Sequence, residues 1–472
     1  MTPLGRLSEG QDMETKPNAG WLEGGLAPVP DEIDATGLEV TGTLPPELTG
    51  RYFRNGPNPL PGRPSGHWFT GPGMIHGVRL RGGRAEWYRN RWVRTKTFLD
   101  ESARFAADDG TLDFAAVPAN THVVPHGGRI LALVEIGFPY EMTPEAGTVG
   151  PCDFGGTLTT AMTAHPKQDP VTGELLFFGY GVLPPYLTYH RLSADGSRVV
   201  ESREIEVPGP SMMHDFAITE HHVIWLDLPV VFDMELATGG GGMPFRWDDA
   251  YGARLGVMRR DAPGDVRWFD VDPCYVFHVG NAHEDAAGRI ALDGVRYRPE
   301  DFAAIWKEIG GSVDPARDPA QHAARSESAH LYRWTLDPAT GRAVEEQLDD
   351  RNVEFPTHDD ARTGRRHRFL YTVAGGAVVK YDLRDGSSSV REFEEDASVG
   401  EAVFVPAEGA RGEDEGWLLS IVSGASSAEL VVLDAADLSR TASVRLPRRV
   451  PAGFHGSWIP DAGDTRPPRV IY

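Results

Sequence analysis

The chain has 472 residues, of which 40% are hydrophobic and 24% charged, and its formal net charge is −23. This composition is typical of a globular protein, and the negative charge argues against binding to nucleic acid or to anionic membrane surfaces. No apolar run approaches the roughly 18 residues needed to cross a bilayer, and the first 20 residues lack the apolar stretch of a signal peptide. The only cysteines are Cys152 and Cys274, which excludes a disulfide framework and makes a reducing cytoplasm the expected location.

Short strands joined by turns are predicted for most of the chain. The sequence holds 54 glycines and 37 prolines, which suits many tight turns between strands. Runs with strand composition or alternation lie at Gly50–Asn55, Met74–Leu80, Ala85–Val93, Thr121–Val124, Ile130–Glu135, Leu175–Tyr180, Leu331–Leu336, Phe369–Val373, Ala377–Asp382, Trp417–Val422 and Leu430–Asp434. Only Pro299–Ile309 has the clear pattern of a helix, with acidic residues in its first turn and two glycines after its end.

This pattern predicts an all-β fold in one domain. Residues 1–25 are polar and glycine-rich and are expected to be flexible, whereas residues 26–472 contain no linker that would separate two domains. A β-propeller with degenerate blades fits such a series of hairpins best, although no regular repeat is visible. A long array of β-sandwiches is the alternative architecture.

One long loop, Leu228–Trp247, is apolar at both ends and contains four consecutive glycines. It is either a flexible surface insertion or the apolar lip of a tunnel that admits an apolar substrate. We favour the lip, because apolar loops seldom hang free in water. Phe232, Met243 and Phe245 are then candidate substrate contacts, and any membrane contact would be weak, monotopic and made through this loop.

Histidines are the residues that most strongly suggest chemistry in this chain. Of the 16 present, four lie in apolar segments next to turns, namely His165, His214, His278 and His455. They are 49, 64 and 177 residues apart, unlike the ligands of any short zinc motif. A ring of blades would bring such dispersed residues to a shared axis, where an all-imidazole site suits iron, zinc or copper. Spacing alone does not select these four histidines from the rest.

Three glutamates in otherwise apolar segments are candidates to support such a site. Glu135, Glu354 and Glu401 each interrupt or precede a strand-like run. A buried carboxylate needs a partner, and the outer N–H of a metal-bound imidazole is a suitable one. The alternative for each is a glutamate on the water-facing side of a strand.

Six short segments together resemble the carotenoid cleavage oxygenase family. They are, in chain order, Gly50–Pro59, Ala164–Lys167, Met213–Phe216, Phe277–Glu284, Val353–Pro356 and Gly453–Gly456. Each segment is short, but six in the right order make the resemblance specific. It extends from about residue 35 to the C-terminus.

The resemblance implies a seven-bladed β-propeller with a dome of helices and loops over an Fe²⁺ ion on the propeller axis. It also implies that the four histidines named above bind the iron, and that the three glutamates bond to three of the imidazoles. Thr121 falls where the family often has a small residue beside an open coordination position. His283 and Glu284, close to His278, are expected to have packing or local structural roles.

In terms of activity, the resemblance implies an Fe²⁺-dependent dioxygenase that cleaves a conjugated C=C bond of a carotenoid or apocarotenoid into two carbonyl products. Dioxygen and the apolar alkene would be its partners, and no further redox cofactor is needed. The same cleavage of a stilbenoid or phenylpropenoid is the alternative. Family members that cleave stilbenes often have a lysine before the glutamate that matches Glu135, where this chain has Val134. A phenolic stilbene bound through such a lysine is therefore disfavoured.

Two other classes of protein remain open at this point. A metal site on the same propeller would also serve a hydrolase or an isomerase, neither of which incorporates oxygen from dioxygen. A non-catalytic binding propeller would hold no metal. A second departure from the family lies in Phe69–Met74, where Thr70 and Pro72 stand at positions that are often aspartate. This change is expected to alter the packing of the dome but not the iron site.

Overall fold

The computed structural model describes residues 22–107, 109–239, 243–313 and 329–461. Most of the predicted flexible segment (residues 1–21), three of the four glycines in the Leu228–Trp247 loop and residues 462–472 lie outside these ranges. Within them, the dominant structure is antiparallel β-sheet. None of the helices in the described part is long and apolar enough to cross a membrane.

The strands are short, as the turn-rich sequence predicts. The first half of the chain contains β1 Asp34–Thr36, β2 Val40–Gly42, β3 Gly50–Arg54, β4 Met74–Arg81, β5 Arg84–Trp92, β6 His122–His126, β7 Arg129–Leu133, β8 Tyr140–Met142, β9 Thr148–Pro151, β10 Lys167–Gln168, β11 Leu175–Tyr180, β12 Leu187–Leu192, β13 Val199–Glu204, β14 Ala217–Ile218, β15 His222–Asp227 and β16 Val230–Phe232. The second half contains β17 Phe245–Trp247, β18 Arg254–Arg259, β19 Val266–Asp270, β20 Val279–Glu284, β21 Ile290–Tyr297, β22 Ala329–Asp337, β23 Arg342–Gln347, β24 Glu354–Thr357, β25 Phe369–Ala374, β26 Ala377–Asp382, β27 Ser387–Glu392, β28 Ser398–Val399, β29 Val403–Pro406, β30 Gly416–Ser423, β31 Ala428–Asp434, β32 Arg440–Arg445 and β33 Gly456–Pro460. The α-helices are α1 Lys96–Leu99, α2 Met234–Thr238 and α3 Pro299–Glu308.

Seven antiparallel sheets surround a common axis as the blades of a propeller. From the inner strand outward, blade 1 is β33-β3-β4-β5-β1, blade 2 is β6-β7-β8-β9, blade 3 is β10-β11-β12-β13, blade 4 is β14-β15-β18-β19, blade 5 is β20-β21-β22-β23, blade 6 is β24-β25-β26-β27, and blade 7 is β28/β29-β30-β31-β32-β2. Inner strands of different blades, such as β33 and β6 or β20 and β24, lie side by side. The prediction of a seven-bladed β-propeller is confirmed, and an array of sandwiches is excluded.

Strands from the beginning and the end of the sequence close the ring. Blade 1 joins β33 to β3, with Tyr52 opposite Trp458, and β2 completes blade 7 by pairing with β32. Asp461, just after β33, bonds to Arg51 at 2.8 Å and to Arg79 at 2.5 Å. Both arginines are buried, so Asp461 is a shared hydrogen-bond partner of two buried guanidinium groups beside the closing strand.

Replacing Asp461 by asparagine is expected to lower the free energy of unfolding by about 1–3 kcal/mol at pH 7, because two buried guanidinium groups lose a charged hydrogen-bond partner. Burial raises the pKa of Asp461, but Arg79, Arg51 and Arg81 outweigh burial and hold the pKa below its ordinary value. The contribution is therefore present above the unfolded-state pKa of about 3.9 and is lost as the pH falls below it. Chemical denaturation at pH 7 and at pH 3 measures both effects.

A matched control for this variant is Glu39→Gln. The ion pair between Glu39 and Arg445 is exposed on both sides, so its loss should change the free energy of unfolding by less than about 1 kcal/mol. Equal losses in the two variants would mean that Asp461 is an ordinary surface residue.

The apolar strands pack between neighbouring blades. All six residues of β11, Leu-Leu-Phe-Phe-Gly-Tyr, are buried, because both faces of a blade are covered by its neighbours. Phe216, before β14, stacks on Trp225 of β15 with ring centroids 5.7 Å apart. It also meets Phe178 of β11 edge-on at 5.3 Å. These aromatic contacts join blade 3 to blade 4.

Helices and loops cover one end of the propeller axis. Helix α3 begins at the predicted residue, ends one residue earlier than predicted, and buries Phe302 and Trp306. Beside it lies the helical turn Trp68–Thr70, where the backbone N–H of Trp68 donates to the carbonyl of Ile309 at 3.0 Å. Together with the β16–β17 hairpin, these elements form the predicted dome.

Candidate metal centre

Four histidines converge on the propeller axis beneath the dome. His165, His214, His278 and His455 lie within three residues before the inner strands of blades 3, 4, 5 and 1, respectively. Each imidazole therefore enters from the same end of its blade. One ring nitrogen from each lies within 4.8 Å of those of the other three, so the dispersed histidines of the sequence are brought together.

The four rings face one another closely. Nε2 of His214 lies 3.0 Å from Nε2 of His165 and 3.4 Å from Nε2 of His278. The ring of His455 has its centroid 4.5 Å from that of His165 and 4.7 Å from that of His278. His278 is partly buried, and the other three are buried.

Carboxylates contact the outer nitrogens of three of these imidazoles. From Nδ1 to the carboxylate oxygen, the pairs are His278–Glu354 at 2.5 Å, His455–Glu401 at 3.0 Å and a close contact between His214 and Glu135. A carboxylate at Nδ1 holds the proton there and leaves a lone pair on Nε2. The structure thus brings all three predicted glutamates to the site, and none of the described carboxylates pairs with His165.

Each glutamate also accepts a second hydrogen bond that sequence reasoning missed. The donors are the hydroxyl of Tyr180 to Glu135 at 2.7 Å, the hydroxyl of Tyr297 to Glu354 at 2.8 Å, and the backbone N–H of Gly456 to Glu401 at 2.8 Å. These bonds fix the carboxylates that in turn orient the imidazole rings. Both tyrosines are the last residues of their strands, a position that carries no distinctive signal in the sequence.

Burial and neighbouring charges set the protonation of the site. Burial raises the pKa of Glu135, Glu354 and Glu401, but the adjacent imidazoles and hydrogen bonds outweigh it and hold each pKa below its ordinary value. Burial, reinforced by the neighbouring rings, holds the pKa of His165 well below its ordinary value. For His214, burial lowers the pKa, but Glu135 outweighs burial and raises it.

This donor set fits a divalent metal ion. Because Nδ1 of His214 and of His278 contacts a carboxylate, their Nε2 lone pairs face each other across 3.4 Å, an arrangement that a cation stabilises. Imidazole nitrogens bind such ions at about 2.0–2.1 Å, so two nitrogens that bound the same ion would lie no more than roughly 4 Å apart. The separations of 3.0 and 3.4 Å are within this limit. Four imidazoles without thiolates suit a borderline metal such as iron.

The blades that contribute no histidine place other residues around the site. Thr121 directly precedes β6 of blade 2, is buried, and accepts at its carbonyl a hydrogen bond from the backbone of His455 at 3.3 Å. Phe355, in β24 of blade 6, has a φ of 53° and stacks on His278 with ring centroids 5.0 Å apart. A positive φ is costly for a bulky residue. We therefore interpret Phe355, which sequence reasoning missed, as a residue that fixes the ring of His278.

An apolar cavity of about 360 Å³ lies between the histidines and the dome. His214, His278, His455 and Thr121 line it. Its apolar walls include Trp68, Phe69, Val134, Phe277, Ile305 and Phe454. Such a cavity suits an extended hydrocarbon and excludes water on the dome side of the histidines.

The three candidate substrate contacts in the Leu228–Trp247 loop differ in position. Met243 lines the apolar cavity. Phe232 and Phe245 are not among its lining residues: Phe245 packs on Tyr180 with centroids 6.4 Å apart, and Phe232 packs on Phe245 at 5.9 Å. Both phenylalanines lie one layer behind the wall, because β16 and β17 pair as a hairpin with these two residues opposite each other.

His283 and Glu284 lie in β20 and point away from the four-histidine cluster. The ring of His283 lies 6.1 Å from that of His367. Glu284 contacts Nδ1 of His221 and Nδ1 of His222, each at 3.0 Å. These contacts join blade 5 to its neighbours, which agrees with the expected structural roles.

Replacing Glu354 by alanine is expected to weaken metal binding by about 10- to 100-fold, because Nδ1 of His278 loses its acceptor and the ring its orientation. Titration of metal-free protein with Fe²⁺ under nitrogen measures the change in affinity. Glu392→Ala, at an exposed position in β27, should bind the metal as the wild type does. Unchanged affinity in Glu354→Ala would argue that this carboxylate does not support the ligand.

Comparisons with known proteins agree on the family. Residues 26–460 match the family described as retinal pigment epithelial membrane protein. The carotenoid cleavage oxygenase of Mycobacterium tuberculosis H37Rv is 40% identical, over 93% of this chain and 97% of that protein. Carotenoid 9,10(9',10')-cleavage dioxygenase 1 of Arabidopsis thaliana is 32% identical, over 93% of this chain and 89% of that protein. Pseudomonas brassicacearum lignostilbene dioxygenase has 28% sequence identity to this chain. Its structure matches with a TM-score of 0.81, over 94% of this chain and 99% of that one. The four-histidine propeller described here therefore belongs to the carotenoid cleavage oxygenase family.

Proposed function

We propose that this protein is an Fe²⁺-dependent dioxygenase that cleaves a conjugated C=C bond of a carotenoid or apocarotenoid. The observation that carries the proposal is the meeting of four imidazole nitrogens, all within 4.8 Å of one another, with an apolar cavity of about 360 Å³. Membership of a family whose members include carotenoid cleavage dioxygenases supports the reaction class.

The proposed reaction balances without an external reductant. One dioxygen molecule is consumed for each alkene, the C=C bond breaks completely, and each of its two carbons keeps one oxygen atom as an aldehyde or ketone. Neither a nicotinamide nor a flavin is required. Bound iron supplies the activation of dioxygen towards an alkene that otherwise reacts slowly with it.

The side chains of this protein hold the site and position the alkene. His165, His214, His278 and His455 are the proposed ligands, and the three glutamates keep Nδ1 protonated on the last three of them. The aromatic cavity walls bind the conjugated chain and exclude water, so that one double bond is held beside the histidines. Thr121, which lines the cavity and bonds to the backbone of His455, is proposed to border the place where dioxygen reacts.

A stilbenoid or phenylpropenoid is the second candidate substrate class, since a lignostilbene dioxygenase shares the fold. The wall of the cavity beside Glu135 favours the carotenoid. Val134 there is buried and apolar, and therefore offers no charge to bind a phenol oxygen.

Two further proposals concern the surroundings of the enzyme. A cytoplasmic location agrees with Cys152 and Cys274, which are both buried and free.

Weak monotopic contact with a membrane would involve the Leu228–Trp247 loop, where Met234 is 62% exposed. Such contact would let an apolar substrate leave the bilayer without crossing water.

Anaerobic reconstitution with Fe²⁺, followed by product analysis in air, tests the proposed activity. We expect a carotenoid or apocarotenoid to give two carbonyl products in air and none under nitrogen, and a phenolic stilbene to be cleaved more slowly. Cleavage of stilbenes alone would favour the second substrate class. If no carotenoid, apocarotenoid or stilbene is cleaved in an oxygen-dependent way, the proposal is wrong.

A further inference from the structure

The histidine cluster lies between two cavities that differ in polarity. Residues that precede the histidines along the chain, such as Phe277 and Phe454, line the apolar cavity on the dome side. Residues that follow them, such as Lys167 and Ser457, line a second cavity of about 540 Å³, whose wall exposes more polar surface than that of the first. This second cavity follows the propeller axis, since the inner strands of all seven blades contribute to its wall. We call it the axial channel.

The axial channel connects the histidines with the surface opposite the dome. At one end, His165, His278 and His455 form part of its wall. Towards the other end lie Gln168 and Pro406, the last residues of β10 and β29, and both are exposed. The propeller therefore has an opening on its axis that is separate from the apolar cavity.

A metal ion and an alkene have opposite requirements for their path to the site. Moving an ion into an apolar environment without compensating partners costs tens of kcal/mol in the limiting case, and the aromatic walls of the dome-side cavity offer few such partners. The axial channel offers a hydrated cation more polar partners along its way, among them Gln168, Thr357 and Asp360. Provided that the four histidines bind iron as proposed above, we infer that Fe²⁺ enters through the axial channel and that Asp360 attracts it there.

Asp360 is the carboxylate in the channel wall that is free for this role. Its side chain is exposed, and within the described ranges it makes neither a hydrogen bond nor an ion pair. The other aspartates of the wall are engaged. Asp215 pairs with Lys167 at 2.7 Å, and Asp169 pairs with Arg260 at 2.5 Å. A cation in the channel thus meets in Asp360 an aspartate that no contacting base balances, whereas Glu401, the remaining carboxylate of the wall, is bound to Nδ1 of His455 at the inner end.

The charge state of Asp360 suits this role at neutral pH. The protein atoms of the channel wall surround Asp360 without covering it, and this partial loss of bulk water raises the pKa of Asp360 to about 6, with Asp359 and Glu401 adding to the effect and Lys167 opposing it. The carboxylate is therefore mostly ionised at pH 7. Because Asp360 follows β24 and lies beyond the four-histidine cluster, it guides the ion without being one of its final ligands.

The rate of cobalt uptake by the metal-free protein tests this route without relying on catalysis. Co²⁺ bound to imidazoles absorbs visible light, so that mixing protein with excess Co²⁺ gives a direct rate. Asp360→Asn should lower the second-order rate constant about three- to tenfold, and less so at high ionic strength. The final amount of bound Co²⁺ and its equilibrium affinity should not change, since Asp360 is not a ligand.

Blocking each cavity in turn separates the two routes. Ala361 lines the axial channel, and Ala361→Trp should slow cobalt uptake by about tenfold or more. Val134 lines the apolar cavity, and Val134→Trp should leave uptake at the wild-type rate. The reverse result, slow uptake in Val134→Trp and normal uptake in Ala361→Trp, would show that the metal enters from the dome side.

A chemical variant keeps the test independent of misfolding. Cys152 and Cys274 are buried, so Asp360→Cys offers one accessible thiol in the described part of the chain. Alkylation with iodoacetate restores a carboxylate, whereas iodoacetamide adds a neutral group of similar size. The carboxymethylated protein should take up Co²⁺ about three- to tenfold faster than the carbamidomethylated one. Equal rates would overturn the role of Asp360. If the wild type bound no Co²⁺, the proposed metal centre itself would be wrong.

Discussion

His278→Ala is expected to lose metal affinity by on the order of 1,000-fold or more and to have no measurable alkene cleavage. Removing a group that only supports a ligand weakens metal binding by about 10- to 100-fold. Removing the ligand itself should weaken it further. The nearest remaining group, Glu354, is held by the hydroxyl of Tyr297 and by the backbone N–H of Phe355. Metal analysis after reconstitution and desalting, with a turnover assay on the same sample, measures both losses.

His283→Ala is the matched control for this variant. His283 lies in the strand that follows His278 but faces His367 of blade 6 instead of the cluster. Its replacement should leave the bound metal unchanged. A His278→Ala protein that retains metal at wild-type affinity would contradict the four-histidine centre, and a wild type without any metal affinity would point to a non-catalytic propeller.

Val134→Trp is expected to lower kcat/KM for the carotenoid by about 100-fold or more while the bound metal stays at the wild-type level. Val134 is buried, lines the apolar cavity and precedes Glu135 in sequence. An indole at this position would occupy space that the substrate needs, because overpacking a closed wall forces either the ligand or the wall to move. Steady-state kinetics together with metal analysis separate a blocked cavity from a damaged metal centre.

The same substitution at an exposed valine controls for the bulk of tryptophan. Val149 in β9 is 63% exposed, and Val149→Trp should retain wild-type kinetics. Wild-type turnover by a folded, metal-loaded Val134→Trp protein would mean that the alkene does not bind in the cavity beside the histidines.

Much of the fold could be predicted because its signals are local. The bounds of β11 and β26 agree with the predicted runs Leu175–Tyr180 and Ala377–Asp382, where apolar or alternating residues lie between turns. Helix α3 was predicted from its acidic first turn and its terminal glycines. The number of blades has no local signal. It depends on pairings such as β3 with β33, which join residues about 400 positions apart.

The site residues likewise fall into two groups, those that their local sequence indicates and those whose roles depend on contacts with distant parts of the chain. The four histidines lie in apolar, turn-adjacent settings, but only the family motifs distinguish them from the other 12 of the 16 histidines. Phe355, Tyr180 and Tyr297 were missed because their roles come from backbone strain and from contacts between blades. Asp360 was missed for a related reason, since an aspartate in a polar loop resembles any solvated residue until the channel is seen.

The oxygen atoms of the products offer the most direct test of the proposed activity. Iron-loaded protein would cleave a carotenoid or apocarotenoid under ¹⁸O₂ in ordinary water, with immediate reduction of the carbonyl products to prevent exchange with solvent. We expect one ¹⁸O atom in each of the two products, because one dioxygen molecule supplies both. Products without label, or label in only one of the two, would contradict a dioxygenase that divides one dioxygen molecule between the two carbons of the alkene.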